Sequence, residues 1–202
     1  MKLKELKEKV STVKIERDVL LRQIESSKQD QETILNTMED LEEARIILQK
    51  ASQITQKQIS FHIENIVTHA LSAVFDDPYE FKVDFVTRRN VTECDLFFVN
   101  DSGTEMKPLD SCGYGAADIA SLALRVAYWK LSKDTRNTML LDEPTRNLSL
   151  DKQPLASIMI KELSEKLKLQ FLIVTHNKAL ADEAETIFKV SKHNEISSIK
   201  EV

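Results

Sequence analysis

Two carboxylates and a histidine directly follow two short apolar runs of this chain. Residues 138–141 are followed by Asp142 and Glu143, and residues 171–174 by a threonine and His176. A short apolar run that ends in charged residues is typical of a buried parallel strand, and α/β folds bind ligands at the carboxyl edge of such strands. We therefore expect these side chains to converge on one phosphate. Asp142 could hold Mg²⁺, Glu143 could polarise an attacking water and His176 could reach a γ-phosphate.

Each of these residues has a simpler explanation when it is taken alone. An Asp-Glu pair is common at strand ends, and a lone histidine after a strand is more often a surface or capping residue. The continuation PTRNL at residues 144–148 makes the carboxylate pair more specific. His176 gains its weight from its spacing to Asp142.

The stretch DEPTRNL, residues 142–148, resembles the Walker B motif and D-loop of ABC-superfamily ATPases. The likeness is closest to the SMC and SbcC-type branch, which handles DNA ends and chromosomes. His176 matches the H-loop histidine of that family, and residues 110–125 resemble its signature motif and the helix that follows. The resemblance implies an α/β fold, namely the C-terminal half-lobe of an ABC/SMC-type P-loop NTPase head. Such a lobe has a parallel sheet with flanking helices, preceded by a long coiled-coil helix.

The resemblance also implies a role for each matching residue. Asp142 would bind Mg²⁺, Glu143 would be the general base and His176 would sense the γ-phosphate. The segment from Gly113 to Ala117 would contact ATP bound to the opposite head. The cofactor-binding candidates in the signature segment and D-loop are Ser111, Gly113, Tyr114, Gly115, Ala116 and Asn147.

The signature segment suits an anion, although it departs from the family pattern. Gly113 and Gly115 precede a helical pattern; glycine lets the backbone approach an anion, and a helix N-terminus favours phosphate. A simple turn that opens a core helix is the alternative. Gly113 replaces the usual serine, Ala116 the usual Gln or Glu, and Ser149 the usual aspartate of the D-loop, while Ser111 could replace the lost hydroxyl. Turnover could therefore be slow, or ATP could serve mainly as a dimerisation switch.

The loop that cradles phosphates in such ATPases is absent from the sequence. No Gly-x-x-x-x-Gly-Lys-Ser/Thr motif occurs, and the three glycines stand at positions 103, 113 and 115. In SMC and SbcC-type proteins the first half of the head carries Walker A, and the second half carries the signature and Walker B. We therefore expect ATP hydrolysis only together with a Walker A-bearing half or N-terminal lobe, and an inactive isolated chain.

Residues 1–60 show a heptad repeat. With Leu3 at position a, eleven of the seventeen a and d positions between residues 3 and 59 are apolar, and no Gly or Pro precedes Pro78. A sustained repeat of this kind indicates a coiled coil whose seam needs a partner helix; a long helix packed on the chain's own head is the alternative. We assign residues 1–60 to a coiled-coil arm and residues 61–202 to the C-terminal half of an ATPase head.

The sequence predicts further elements around these motifs. Residues 61–75 broaden the apolar face of the helix and should enter the head's core, and residues 79–86 alternate apolar and polar side chains as a half-buried strand does. Pro154 can open a helix that runs to Leu167. The remaining predictions are turns at 88–90 and 100–103, a strand at 95–99 and closing strands at 186–190 and 196–199.

Composition sets modest bounds. The chain has 202 residues, a formal net charge of −5 and 42% hydrophobic residues, which suffices for one moderate core besides the coil. This charge is a poor electrostatic footprint for tight binding to nucleic-acid phosphates, so DNA contact is implied by the resemblance alone. Cys94 and Cys112 form no Cys-x-x-Cys pair, which excludes a zinc hook. We expect a cytoplasmic protein without membrane contact, because no apolar run could span a bilayer and the start is unlike a signal peptide.

The sequence thus predicts the C-terminal half of an SMC/SbcC-like ATPase. It would complete an ATP-binding head with a Walker A-bearing partner and act on DNA in repair, recombination or replication. The implied cofactors are ATP and Mg²⁺, and the implied partners are a coiled-coil helix, a second head, a nuclease subunit and DNA. The alternative is a non-catalytic coiled-coil module for dimerisation or regulation, derived from such an ATPase. A plain coiled-coil scaffold is a third possibility, against which the order of the motifs argues.

Overall fold

The chain divides by its internal contacts into two compact units, Met1–Thr55 and Gln56–Val202. Helix α1, Leu3–Val74, supplies the described part of the first unit and the opening residues of the second. The domain boundary after residue 60, between the coiled-coil arm and the half of the ATPase head, remains a prediction. The computed structural model describes residues 3–89, 91–109, 113–132, 135–193 and 196–202.

The second unit continues with ten shorter elements. They form a three-stranded antiparallel sheet, a two-stranded parallel sheet and a two-stranded antiparallel hairpin, with three helices between the strands. In chain order the elements are β1 (Glu80–Arg88), β2 (Val91–Val99), β3 (Glu105–Met106), α2 (Tyr114–Leu131), β4 (Thr138–Asp142), α3 (Gln153–Leu167), β5 (Gln170–Val174), α4 (Lys178–Asp182), β6 (Phe188–His193) and β7 (Ile196–Glu201).

The first unit is a helix whose apolar side chains are exposed. Leu20, Met38 and Leu41, at predicted seam positions, are 57%, 61% and 65% exposed. Helices in water draw most of their stability from packing of an apolar face. An exposed apolar seam of this length fits a partner helix.

The last turns of α1 enter the core, as the sequence predicts for residues 61–75. Val67, Leu71 and Val74 are fully buried, and they belong to the same cluster as Phe98 of β2. Side chains of α1 also bond to β1, because Thr68 Oγ1 accepts the backbone N–H of Phe81 at 2.9 Å. This contact satisfies a backbone donor of an edge strand, which would otherwise be open to pairing with another chain.

Helices α2 and α3 pack against the parallel pair of strands. Leu141 of β4 is 3% exposed and lies in one core cluster with Ile119 and Ala123 of α2 and Ile160 of α3. The predicted helix from Pro154 to Leu167 is confirmed as α3, where the proline lies in the first turn. The helical pattern predicted after Gly113 is confirmed as α2, and Gly115 lies inside its first turn.

The predicted strands and turns are present, although the strand expected at 95–99 begins four residues earlier, at Val91 of β2. The strand expected at 79–86 is β1, and the hairpin turn after it contains Arg89, whose φ is +49°. Asn90, the last residue of that predicted turn, lies outside the described residues. The two closing strands pair antiparallel as β6 and β7. Within the described parts of the chain, none of the helices has the length and apolar character needed to cross a membrane.

Candidate active site at the carboxyl edge of the parallel strands

Strands β4 and β5 bring their following residues to one edge, as the sequence predicts. They pair parallel with Asp142 opposite Val174, and the backbone N–H of Glu143 donates to the carbonyl of Val174 at 2.9 Å. Residues that directly follow either strand therefore lie side by side. Glu143 and His176 meet there although they are 33 positions apart.

The backbone of Glu143 turns sharply at the end of β4. Its φ is +43°, in the left-handed region that residues with a side chain seldom adopt. A single residue held in this region costs on the order of 1 kcal/mol and persists only when its surroundings fix it. Here the fixing contacts are the bond to Val174 and a bond from the Arg146 N–H to the Glu143 carbonyl at 3.2 Å.

The carboxylate of Glu143 accepts three hydrogen bonds from the residues after β5. Thr175 Oγ1 donates to Oε2 at 2.9 Å, the backbone N–H of His176 donates to Oε1 at 3.0 Å, and His176 Nδ1 lies 2.7 Å from Oε1. The hydrogen bond to the His176 side chain, with smaller contributions from Thr175 and the His176 amide, lowers the pKa of Glu143. Glu143 is therefore ionised at neutral pH.

The ring of His176 is open to solvent on its other side. Its side chain is 86% exposed, whereas that of Glu143 is 27% exposed. Because Nδ1 faces Glu143, the nitrogen available to an incoming group is Nε2. The Nε2 atom of His176 can therefore donate a hydrogen bond to a ligand oxygen at this sheet edge, or accept one from it, depending on whether the nitrogen is protonated.

Asp142 is the metal ligand that the sequence predicts at this edge. It is exposed at the last position of β4. Among the residues that the structure describes, no group of three or more His, Cys, Asp or Glu side chains could enclose a metal ion. This set fits Mg²⁺, which usually takes one or two carboxylates together with substrate phosphates and water, and does not fit a metal held by protein alone.

The loop after Glu143 is held by a hydrogen bond to the segment that follows β5. Thr145 is 2% exposed, and its hydroxyl accepts a hydrogen bond from Asn177 Nδ2 at 3.4 Å. Asn177 also caps α4, because its Oδ1 accepts the N–H of Ala179 at 2.9 Å. The loop is therefore tied to the segment that carries His176.

Asn147 of this loop is bound to helix α2. Its backbone N–H donates to Asp118 Oδ2 at 2.8 Å, and its Nδ2 donates to Oδ1 of the same carboxylate at 3.3 Å. The backbone N–H and one Nδ2 hydrogen of Asn147 are thus engaged within the chain. The predicted contact with a nucleotide would use its second Nδ2 hydrogen or its amide oxygen.

The signature candidates surround the start of α2. Gly113 is the N-cap, with φ +73°, and Tyr114 beside it is 67% exposed. The side chain of Ala116 is 4% exposed within the core, so only its backbone could contact a nucleotide. Ser111, the predicted substitute for the lost hydroxyl, lies outside the described residues.

Sequence reasoning missed several residues that organise this site. Thr175, Asn177 and Asp118 each hold a predicted site residue or its loop. The proximity of Thr175 and Asn177 to His176 was a usable signal. Asp118 had no such signal in the sequence, because its partner Asn147 lies 29 positions away.

One face of the parallel pair is uncovered. Leu140, Leu172 and Val174 are 71%, 53% and 67% exposed, and Leu140 stands directly opposite Leu172. Parallel strands are normally covered on both faces, and two strands alone are marginal in water. This apolar face, defined by those three residues, lies on the sheet that carries the candidate site.

Two curated proteins are similar in sequence, although no protein-family profile matches the chain. They are the DNA double-strand break repair Rad50 ATPases of Sulfolobus acidocaldarius, 27% identical over 162 residues, and of Saccharolobus solfataricus, 28% identical over 107 residues. The matches cover 76% and 53% of this chain. They cover 18% and 12% of the two relatives, so the chain spans a small part of the length of either.

Solved SMC heads share the fold. An Smc head with coiled coil and joint from Pyrococcus yayanosii has a TM-score of 0.70 at 16% identity, covering 91% of this chain and 35% of that one. An SMC ATPase structure from work on ATP-driven dimerization and DNA-stimulated activation gives 0.59 at 14% identity, covering 74% and 88%. The Smc head of Pyrococcus furiosus bound to the C-terminal domain of ScpA gives 0.58 at 17% identity, covering 74% and 36%.

The α/β fold with a long preceding helix is thus that of the C-terminal lobe of an SMC head. The predicted resemblance to the carboxyl-terminal half of SMC/SbcC-type ATPases is confirmed.

Proposed function

We propose that this chain is the C-terminal half of an ATPase head and that a Walker A-bearing chain or lobe completes its site. The observation that carries the proposal is the contact of Glu143 with His176 and Thr175 at the shared edge of β4 and β5. A strained backbone and three convergent donors are unusual for a solvated strand end, and strain of this kind clusters at functional sites.

The uncovered face of the parallel strands supports a missing half. Leu140, Leu172 and Val174 expose apolar surface that adjoins the candidate site. A lobe that packed on this face would cover the sheet in the usual way for parallel strands. The same packing would bring its phosphate-binding loop close to Asp142.

The residues of this chain would share the chemistry as follows. Mg²⁺, held by the Asp142 carboxylate and nucleotide phosphates, would neutralise charge on the transferred phosphoryl group. Glu143 would orient the attacking water, because a carboxylate has about four acceptor positions and three are already filled. As an imidazolium, His176 would donate Nε2–H to a phosphate oxygen while Nδ1–H donates to Glu143.

We further propose that the assembled head dimerises and acts on DNA in repair, recombination or replication, and that a nuclease subunit is one of its partners. The relatives named for DNA double-strand break repair support the DNA role. Sequence charge gives no independent support, since the net charge is −5.

A non-catalytic module for dimerisation or regulation is the second candidate. Two observations favour it over an efficient ATPase. The buried side chain of Ala116 cannot replace the usual Gln or Glu contact, and the lowered pKa makes Glu143 a weak general base. In this reading the nucleotide would control association without rapid turnover.

Glu143→Gln in the full chain, assayed with its Walker A-bearing partner and Mg-ATP, separates the two candidates. The partner is first recovered by a native pull-down with a slowly hydrolysed ATP analogue. We expect kcat to fall about 10²- to 10⁴-fold, because the amide has only one acceptor oxygen to orient the attacking water and cannot take up its proton, while nucleotide-dependent association persists. The matched control is Glu165→Gln, which alters an exposed carboxylate of α3. Turnover that Glu143→Gln leaves unchanged contradicts the catalytic role.

A further inference from the structure

The contact between Asp118 and Asn147 joins two segments that are distant in sequence. Asp118 lies in the second turn of α2, and Asn147 lies in the loop between β4 and α3, which is the predicted D-loop. One carboxylate accepts both the backbone N–H and the side-chain N–H of Asn147. A bidentate pairing of this kind fixes the orientation of the loop as well as its distance.

Close packing at Gly115 reinforces the same contact. A Cβ at this position would lie 3.2 Å from the Asn147 carbonyl oxygen, 3.2 Å from Leu148 Cδ1 and 3.4 Å from Leu148 Cα. The loop backbone therefore approaches α2 more closely than a Cβ at this position would usually allow. Gly115 serves this approach within the chain, and its predicted contact with an anion stays a prediction.

The physical setting argues for a positioning role. Leu148 is 5% exposed and anchors the base of the loop, whereas Asn147 and Ser149 on either side are exposed. Because Asn147 is exposed, its hydrogen bonds to the Asp118 carboxylate hold it in place more than apolar packing does. Segments with exposed backbone and little packing open easily unless such contacts hold them.

We propose that Asp118 is a positioning residue that fixes the D-loop against α2, so that the signature segment and the D-loop of one head move as one unit. This inference rests on the proposed function. Movement of the exposed signature residues Gly113 and Tyr114 on docking of a second head would then displace Asn147 as well. The coupling runs through the carboxylate of Asp118 and the contact surface of Gly115.

The first test needs no nucleotide. Amide hydrogen exchange of the full chain is measured for wild type, Asp118→Ala and Asp118→Asn. We expect exchange at Asn147 to rise on the order of tenfold in Asp118→Ala, because its N–H loses its acceptor. Asp118→Asn should give a smaller rise, since an amide supplies one acceptor oxygen. Glu165→Ala, which removes an exposed carboxylate of α3, should change nothing at Asn147. An unchanged rate in Asp118→Ala overturns the proposal.

Exchanging the amide and the carboxylate between positions 118 and 147 distinguishes a direct hydrogen bond from a general loss of stability. Asn147→Asp places two carboxylates against each other and should speed exchange at position 147. The double variant Asp118→Asn with Asn147→Asp restores one donor facing one acceptor, so protection should return towards the wild-type rate. Failure of the double variant to recover protection counts against a direct pairing, even where the single variants are less stable.

The second test asks whether the contact matters for turnover. In the complex with the Walker A-bearing chain, Asp118→Ala should lower kcat severalfold with little change in the apparent KM for ATP, because Asp118 touches the loop and not the nucleotide. Altered exchange with an unaltered kcat overturns the coupling. If the wild-type complex shows no turnover, the proposed ATPase function fails, whereas the exchange result still decides the role of Asp118.

Discussion

At the scale of single residues, Glu143 combines an unusual backbone conformation with three side-chain hydrogen bonds. The left-handed backbone of Glu143 raises the free energy of the folded chain, whereas its three hydrogen bonds lower it. The donors that fix it also lower its pKa. A residue held in this way is well oriented but weakly basic, which suits orientation of a water better than rapid proton abstraction.

We predict that His176→Ala raises the pKa of Glu143 towards its ordinary range, because the largest cause of the lowered value is lost. Thr175→Val should raise it less, since the Thr175 hydroxyl contributes a smaller share. Carboxyl ¹³C NMR during an acid titration measures both shifts. A larger shift for Thr175→Val than for His176→Ala would contradict this account of the carboxylate.

At the scale of secondary structure elements, β4 has two different faces. Leu141 lies in the core, while Leu140 beside it points away from that core and is exposed. Alternation of this kind is imposed by the two-residue period of a strand. Because both faces of β4 are apolar, its sequence is that of a central strand, although only one face is covered here.

We predict opposite results for serine at these two neighbouring positions. Leu140→Ser should leave the stability of the isolated chain nearly unchanged but weaken association with the Walker A-bearing partner. Leu141→Ser should lower the free energy of unfolding by about 2–5 kcal/mol, because it leaves a cavity and a hydroxyl in the core. Urea unfolding and titration of the partner measure the two effects. Unimpaired partner binding by Leu140→Ser would contradict the uncovered-face interpretation.

At the scale of the whole molecule, each unit exposes apolar surface of its own. In the first unit the seam of α1 is exposed, and in the second the face of β4 and β5 is exposed. Exposed apolar surface of such extent marks an interaction site. The two exposed surfaces lie in different units, the seam on α1 and the sheet face on β4 and β5.

We predict that Leu41→Asp disrupts helix pairing of the first unit, because it places a charge at a d position of the seam. Asn36→Asp, at the exposed f position, introduces the same charge outside the seam and should have little effect. Sedimentation velocity with and without a coiled-coil partner compares the two variants. Equal association of both variants would show that the heptad seam is not the contact surface.

The sequence by itself determined the elements and the order of the motifs. The heptads specify α1, the apolar runs specify β4 and β5, and Pro154 opens α3. Parallel pairing then required that Asp142, Glu143 and His176 share an edge. These features follow from local periodicity and from the geometry of one sheet, so a single chain segment or pair of segments contains the necessary signal.

Only the tertiary structure decided how the site is held and what is left open. The left-handed backbone of Glu143, the bond between Asp118 and Asn147, the approach of Gly115 to the loop and the bare face of Leu140 have no local signature. Each depends on which segments pack together across many intervening residues. Local propensity acts over a few neighbouring residues, whereas these contacts arise when the whole second unit closes around its core.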